Sequence, residues 1–247
     1  MAMDPLHQFA VKAVQPLQFG GLDLTITNQT IWTGAATATI ALLLLLGISR
    51  LSLVPGRWQS AVEMTVEFIQ KLTKDTAGTA ALPFVPLIMT TFLFVAGLNL
   101  MGMVPGSFTV TSQITTTAFM GAMVFLLVVG VGLWVQGLHF FGLFLPKGTP
   151  WPLAPLIIPL EIISFLARPL TLAVRLAANM VAGHILLKIF AGFCVMLLAQ
   201  GWLAGLAVLP LLLLLAITAL EVFVALLQAY IFTVLTLVYL NDALHGH

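Results

Sequence analysis

The chain has 247 residues, of which 61% are hydrophobic and only 7% are charged, with a mean hydropathy of +1.14. Soluble domains carry roughly 25% charged residues, so the polar side chains are too few to cover a water-soluble fold. The net charge of +1 offers no basic patch for nucleic acid, and a single cysteine, Cys194, excludes an intramolecular disulfide. The composition therefore predicts a polytopic membrane protein.

Long apolar stretches predict the membrane spans. A bilayer core about 30 Å thick needs roughly 20 apolar residues of helix. The apolar runs here are continuous, whereas the strands of a β-barrel would alternate apolar and polar residues. We predict an all-α integral membrane protein, a single membrane domain over 1–247, with spanning helices at 28–50, 83–104, 115–141, 155–199 and 206–240.

The loop after the first span has a helical pattern of its own. Apolar residues recur at helical spacing, and Glu67 and Lys71 form a favourable i,i+4 pair on the opposite face. The pattern predicts an amphipathic helix over 57–76 that lies flat in the headgroup region, where anchoring is a sufficient role.

Positive charges indicate the orientation of the chain. They gather in the first and third loops, as Arg50, Arg57, Lys71, Lys74 and Lys147, while the second and fourth loops carry no charge. The positive-inside rule then predicts an outer N-terminus and an inner C-terminus. No basic segment precedes a short apolar core, so we expect no cleaved leader and a bacterial inner membrane. A subunit encoded in the mitochondrion would look similar.

The last two spans are longer than a bilayer is thick. They would run for roughly 68 Å and 52 Å at about 1.5 Å per residue. We expect a strongly tilted hairpin against a curved partner, with its turn near 201–205. Antiparallel helices joined there place Glu221 level with His184, and Gln228 level with Ala177.

Several polar residues share one face of the first long helix. Glu161, Arg168 and Arg175 are spaced seven apart, and Thr171 and Asn179 lie on the same stripe. An arginine inside a membrane usually marks function. No carboxylate lies level with Arg175, so we predict that it pairs with an acid from another chain. A buried ion pair that fixes helix register is the alternative, and Thr171 and Asn179 could simply join helices.

The predicted pair of His184 and Glu221 suits proton transfer. Imidazole titrates near ~6.5, so it can exchange a proton with a neighbouring carboxyl group close to neutral pH. A static hydrogen-bonded pair is the alternative. Gln228 shares a face with Glu221 and could extend a polar path toward Arg175, whereas snorkelling explains Arg168. The sequence has no HExxH, GxSxG or Walker A motif, so we expect an ion path with no cofactor or metal.

Three segments carry a resemblance to a known family. Residues 168–184, RPLTLAVRLAANMVAGH, closely resemble the signature of subunit a of the F-type ATP synthase. Residues 221–232 and 235–240, EVFVALLQAYIF and LTLVYL, resemble its last helix, and 99–105, NLMGMVP, resemble its Asn-Leu-x-Gly-x-x-Pro segment. The likeness covers about 80–240.

This resemblance implies a proton-translocating stator subunit of the Fo sector that binds no nucleotide. It would form two half-channels against a rotating ring of c subunits, beside peripheral-stalk b-type subunits and other ATP synthase subunits. Arg175 falls on the family's essential arginine, which meets the ring carboxylate and separates the half-channels. His184, Glu221 and Gln228 fall on outer half-channel positions.

The resemblance also assigns residues to the inner half-channel and bears on which member of the His184–Glu221 pair is the histidine. Glu161, Thr171 and Asn179 fall on positions near the arginine or the inner half-channel. Several bacterial members carry an acid where His184 stands and a histidine where Glu221 stands. The order here is similar to that of mitochondrial and alphaproteobacterial members.

Two other functions remain open at this point. An autonomous transporter or channel would use Arg175 to bind an anionic substrate and would conduct without partners. A purely structural scaffold would use the same charges only to fix helix packing.

Overall fold

The computed structural model describes residues 9–16, 18–19, 22–23, 25–49, 52–104, 106–137, 140, 142, 151–202 and 204–245. The long helices are α1 (Asn28–Ile48), α2 (Arg57–Ala77), α3 (Val85–Gly102), α4 (Ile114–Gln136), α5 (Ala154–Ala199) and α6 (Val208–His245). Within these described ranges, five helices are long and apolar enough to cross a membrane. The predicted all-α membrane fold is confirmed. The amphipathic α2 is a long helix in addition to the five apolar ones.

Local chemistry fixes several helix ends. Helix α1 begins at Asn28 because the Thr27 side chain accepts a hydrogen bond from the Thr30 backbone N–H at 3.3 Å. Helix α4 ends at Gln136, where Gly137 takes a positive φ of 58° that favours glycine. The predicted span 115–141 runs past this point, and 138, 139 and 141 lie outside the described residues.

Short strands precede the first helix, where the sequence analysis placed no element. Strand β1 (Ala13–Gln15) pairs antiparallel with β4 (Ile26–Thr27), and β2 (Gln18–Phe19) pairs with β3 (Leu22–Asp23). Gln113 Nε2 donates to Phe9 O at 2.7 Å, so the segment is fastened to the start of α4.

Helix α6 is the centre of the packing, since it contacts α2, α3, α4 and α5. Its buried Phe232 packs in a cluster with Leu98 of α3 and Leu176 of α5. Ile69 of α2 is fully buried in a second cluster with Leu237 of α6. Lipid tails are as apolar as these side chains, so close van der Waals packing rather than removal from water holds the helices together. The shared cluster makes α2 part of the packed body rather than an independent anchor.

Helices α5 and α6 form the predicted hairpin. They have 46 and 38 residues, and the turn between them contains Gly201, which has a positive φ of 58°. Helix α5 continues through Pro159 and Pro169, while α6 continues past residue 240 to His245. The tilt of the hairpin in a bilayer remains a prediction.

Candidate functional site

The structure brings His184 of α5 and Glu221 of α6 together. His184 Nε2 lies 3.8 Å from Glu221 Oε1, and the side chains are only 12% and 5% exposed. The register expected from the position of the turn is therefore confirmed. An imidazole and a carboxyl group at this distance can exchange a proton directly after a small movement, or through one water molecule.

The glycine beside His184 makes room for the carboxyl group. A Cβ built on Gly183 would lie 2.5 Å from Glu221 Oε1 and 2.9 Å from its Cδ. Real side chains do not tolerate such contacts, so glycine at this position permits α6 to place Glu221 against the α5 backbone.

His184 has two further neighbours that the sequence analysis did not identify. Its Nε2 lies 2.9 Å from Thr109 Oγ1, and its ring meets the ring of Phe9 edge-on at 6.3 Å between centroids. Thr109 comes just before a short 3₁₀ turn (Val110–Ser112) in the connection from α3 to α4, and this turn packs against α5. The sequence did contain a signal for this contact, because the uncharged connection between α3 and α4 is rich in serine and threonine.

Several buried polar atoms of the helix bundle, including both oxygens of Glu221, have no hydrogen-bond partner. Among the described residues these are both carboxyl oxygens of Glu221, Oε1 of Gln228, Oδ1 of Asn99 and Oγ1 of Thr111. Leaving such an atom unpaired costs about 1–3 kcal/mol, and buried polar groups are ordinarily satisfied by protein or ordered water. This region therefore favours hydration within an otherwise apolar helix bundle.

Asn99 of α3 forms a hydrogen bond to the backbone of α6 at a position between Glu221 and Gln228. Its Nδ2 donates to Ala225 O at 3.1 Å, and Asn99 itself is fully buried. Ala225 lies between Glu221 and Gln228 on one face of the helix, since the three are spaced four and three apart. In the sequence, Asn99 stands out only as part of the segment 99–105 that carries the family resemblance.

Arg175 occupies a different environment near the middle of α5. Its side chain is exposed, as is Ala178, while the intervening Leu176 and Ala177 are buried. Within the described part of the chain, the structure shows no ion pair or hydrogen bond for the guanidinium group.

The remaining candidates of α5 do not join this arginine through direct bonds. Thr171 is exposed and donates to Arg168 O at 2.9 Å, one turn back along the helix. Asn179 and Glu161 are half-buried. Across the described residues, no hydrogen bond or ion pair connects any of the three to Arg175.

Arg168 has a partner that the sequence analysis missed. Its Nη1 lies 3.6 Å from Asp242 Oδ2, and its guanidinium carbon lies 5.6 Å from the centroid of the Tyr239 ring. The predicted end of the last helix at residue 240 left Asp242 outside the span. Because α6 continues, Asp242 stands beside Arg168, and snorkelling alone is not the explanation for this arginine.

Comparison with known proteins identifies the family. The family model described as ATP synthase A chain matches residues 30–241. The chain belongs to this family. It is 48% identical over 250 residues to the ATP synthase subunit a of Rhizobium etli (strain CFN 42), covering all of both chains. The subunit a of Agrobacterium fabrum is 48% identical over 247 residues, covering 100% of this chain and 99% of that protein.

Family membership confirms the resemblance drawn from the three segments. Subunit a is a membrane component of the Fo sector rather than the catalytic subunit, and its partners are other subunits of the ATP synthase. The bacterial relatives and the five apolar helices indicate a multi-pass protein of the plasma membrane.

Proposed function

We propose that this chain conducts protons through two offset half-channels against a rotating ring of c subunits. The observation that carries the proposal is the contrast between two polar sites on one helix hairpin. His184 and Glu221 face each other inside the fold, whereas Arg175 is exposed and unpaired within the described residues. The first arrangement suits proton passage within the chain, and the second suits an acid supplied by another chain.

The outer half-channel contains His184, Glu221 and Gln228. The unpaired oxygens of Glu221 and Gln228 support this assignment because buried polar atoms in a conducting path are served by water. Asn99 supplies a polar bridge to the α6 backbone between the two residues. A proton entering from the outside would pass His184 and Glu221, continue past Gln228 and reach a ring carboxyl group.

Arg175 acts on the ring. A protonated ring carboxyl group can turn into lipid because its desolvation penalty has fallen, whereas an ionised one is held beside the guanidinium group. The fixed positive charge also repels protons and so prevents a direct leak between the two half-channels. Glu161, Thr171 and Asn179, on the same helix, belong to the inner half-channel that receives the released proton.

The membrane potential supplies the driving force. Each elementary charge that crosses contributes about 2.3 kcal/mol per 100 mV. The subunit couples this flow to ring rotation and thus to ATP synthesis. The peripheral-stalk b-type subunits are its stationary partners. An outer N-terminus and an inner C-terminus follow from the distribution of basic loops.

Substitution of the exposed arginine tests the proposal. We expect Arg175→Ala to abolish ATP-driven proton pumping in membrane vesicles, while the remaining subunits still co-purify in normal proportion. Arg168→Ala is the matched control, since it removes an arginine from the same helix whose ion pair lies within the chain. Normal coupled pumping by Arg175→Ala would contradict the proposal.

A further inference from the structure

One hydroxyl group stands beside the proton-exchanging pair. Thr109 Oγ1 lies 2.9 Å from His184 Nε2, which is the same nitrogen that faces Glu221 Oε1 at 3.8 Å. Thr109 is only 6% exposed, so its hydroxyl group has few alternative partners. Any proton that moves between the imidazole and the carboxyl group does so within reach of this oxygen.

The surrounding acceptors determine what the hydroxyl group can do. A threonine hydroxyl has one hydrogen to donate and two lone pairs that accept. Thr109 Oγ1 lies 3.3 Å from Gly102 O, which can only accept, so donation to that carbonyl leaves Oγ1 free to accept from a protonated Nε2. When Nε2 is bare, rotation of the hydroxyl group lets it donate there instead. Gly102 O then still accepts from Ser107 Oγ at 3.1 Å.

Packing holds Thr109 where this exchange of roles is possible. A Cβ built on Gly102 would lie 2.9 Å from Thr109 Cγ2, so only glycine at the end of α3 permits the close contact. Ser112 Oγ donates to Thr109 O at 2.6 Å and fastens the following turn. The branched side chain of threonine also restricts rotation about χ1, which keeps the hydroxyl group aimed at His184.

We propose that Thr109 is a positioning residue that gives His184 Nε2 a hydrogen-bond partner before and after proton transfer to Glu221. In this step the Nε2 proton of the imidazolium passes to the Glu221 carboxylate. The products are a neutral imidazole that keeps its Nδ1 proton and a neutral carboxylic acid. Before the step Thr109 accepts from Nε2–H. A small movement of the ring then turns this N–H toward Glu221, which lies 3.8 Å away, and after the transfer Thr109 donates to the bare Nε2. This inference rests on the proposed proton path.

Two substitutions of Thr109 distinguish the role of its hydroxyl group from the role of its side-chain shape. In the assembled complex we expect Thr109→Val to lower proton flux about fivefold, the effect of one lost neutral hydrogen bond. Thr109→Ser should retain most of the flux because it keeps the oxygen. Thr117→Val is the matched control: Thr117 is also buried, but its hydroxyl group donates to Ile114 O within its own helix.

A spectroscopic measurement distinguishes positioning from packing. In complexes labelled with ¹⁵N-histidine, the His184 signals can be identified by their absence in His184→Gln. We expect Thr109→Val to shift the Nε2 signal and Thr109→Ser to preserve it. Equal losses of flux in both Thr109 variants, or an unchanged Nε2 signal in Thr109→Val, would overturn the role of Thr109.

The histidine variant also separates this inference from the proposed function. Loss of pumping in His184→Gln, combined with normal flux in Thr109→Val, would overturn only the role of Thr109. Normal pumping in an assembled His184→Gln complex would overturn the proton path itself. Loss in His184→Gln and Thr109→Val, with recovery in Thr109→Ser, is the result expected if both hold.

Discussion

The exposed surface around Arg175 and the interior around His184 and Glu221 lie on the same hairpin and differ in what completes them. His184 and Glu221 face each other across two helices of the chain. Thr109 contacts the imidazole, and Gly183 leaves room for the carboxyl group. Arg175 has an exposed charge on a mainly apolar helix and no ionic partner among the described residues. An intramembrane charge is costly, so the lack of an ionic partner among the described residues supports the proposal that another chain supplies an acid.

Under the proposed function, one subunit contains both a proton relay that is complete within the chain and a site that another chain completes. Buried groups that face each other are positioned by folding alone. An exposed charge in an apolar face is satisfied only on assembly, when a second surface removes it from lipid. Substitutions can therefore disturb one region while leaving the other in place.

A bulky side chain beside Arg175 should have the largest effect. We expect Ala178→Phe to reduce ATP-driven pumping about a hundredfold, because steric overlap at a close interface costs up to about 3 kcal/mol. Ala122→Phe, at an exposed position of α4, is the control and should keep most activity. Near-normal pumping by Ala178→Phe would show that this face does not meet the ring closely.

Exchange of the buried pair should have the next largest effect. We expect His184→Glu and Glu221→His to lower proton flux at least about tenfold each, because each mismatches a buried polar partner at a cost of roughly 1–3 kcal/mol. The double variant should recover more flux than either single variant, since it restores one imidazole and one carboxyl group. Losses that simply add would argue against a working pair.

A methyl group at Gly183 should have a smaller effect. Because its Cβ would meet the Glu221 carboxyl group, we expect Gly183→Ala to displace Glu221 from His184 and lower flux severalfold, for an overpacking cost of about 1 kcal/mol. Gly130→Ala is the control, since a Cβ there meets nothing within 4 Å. Alanine favours helix over glycine, so a loss in Gly183→Ala cannot be assigned to helix instability. Equal flux in the two variants would contradict the close contact.

Loss of the Arg168 ion pair should have the smallest effect. Both partners are partly exposed, at 38% and 22%, and such pairs contribute at most about 1 kcal/mol. We expect Asp242→Asn to leave proton pumping unchanged and to lower the thermal unfolding midpoint of the complex only slightly. A severe loss of pumping would place Arg168 beside Arg175 in the mechanism and remove the contrast between the two arginines.

Local patterns in the sequence were enough to predict the helices and the His184–Glu221 pair. Continuous apolar runs give the spans, and the position of a glycine-containing turn sets the register of an antiparallel hairpin. The same register placed Glu221 opposite His184 rather than beside Arg175. The helices depend on residues close together in the sequence. The His184–Glu221 pair depends only on the rule that residues equally far from the turn of a hairpin face each other.

The residues that the sequence analysis missed depend on contacts between distant segments. Thr109 reaches His184 across 75 positions of the chain, and Asn99 reaches Ala225 across 126. No periodicity encodes which loop folds over which helix. Asp242 was missed for a different reason: the predicted helix end at residue 240 lies five residues before the observed end at His245, so Asp242 was placed outside the helix.

Proton flux through reconstituted vesicles tests the central claim most directly, that the Arg175 surface is completed by a carboxyl group of the ring. The chain alone, the c subunits alone and both together are inserted into vesicles, and passive proton flux is measured under an imposed potential. The account predicts flux only when both are present, and its loss when the ring carboxyl group is replaced by an amide. Comparable flux through the chain alone would contradict it and favour an autonomous channel or transporter.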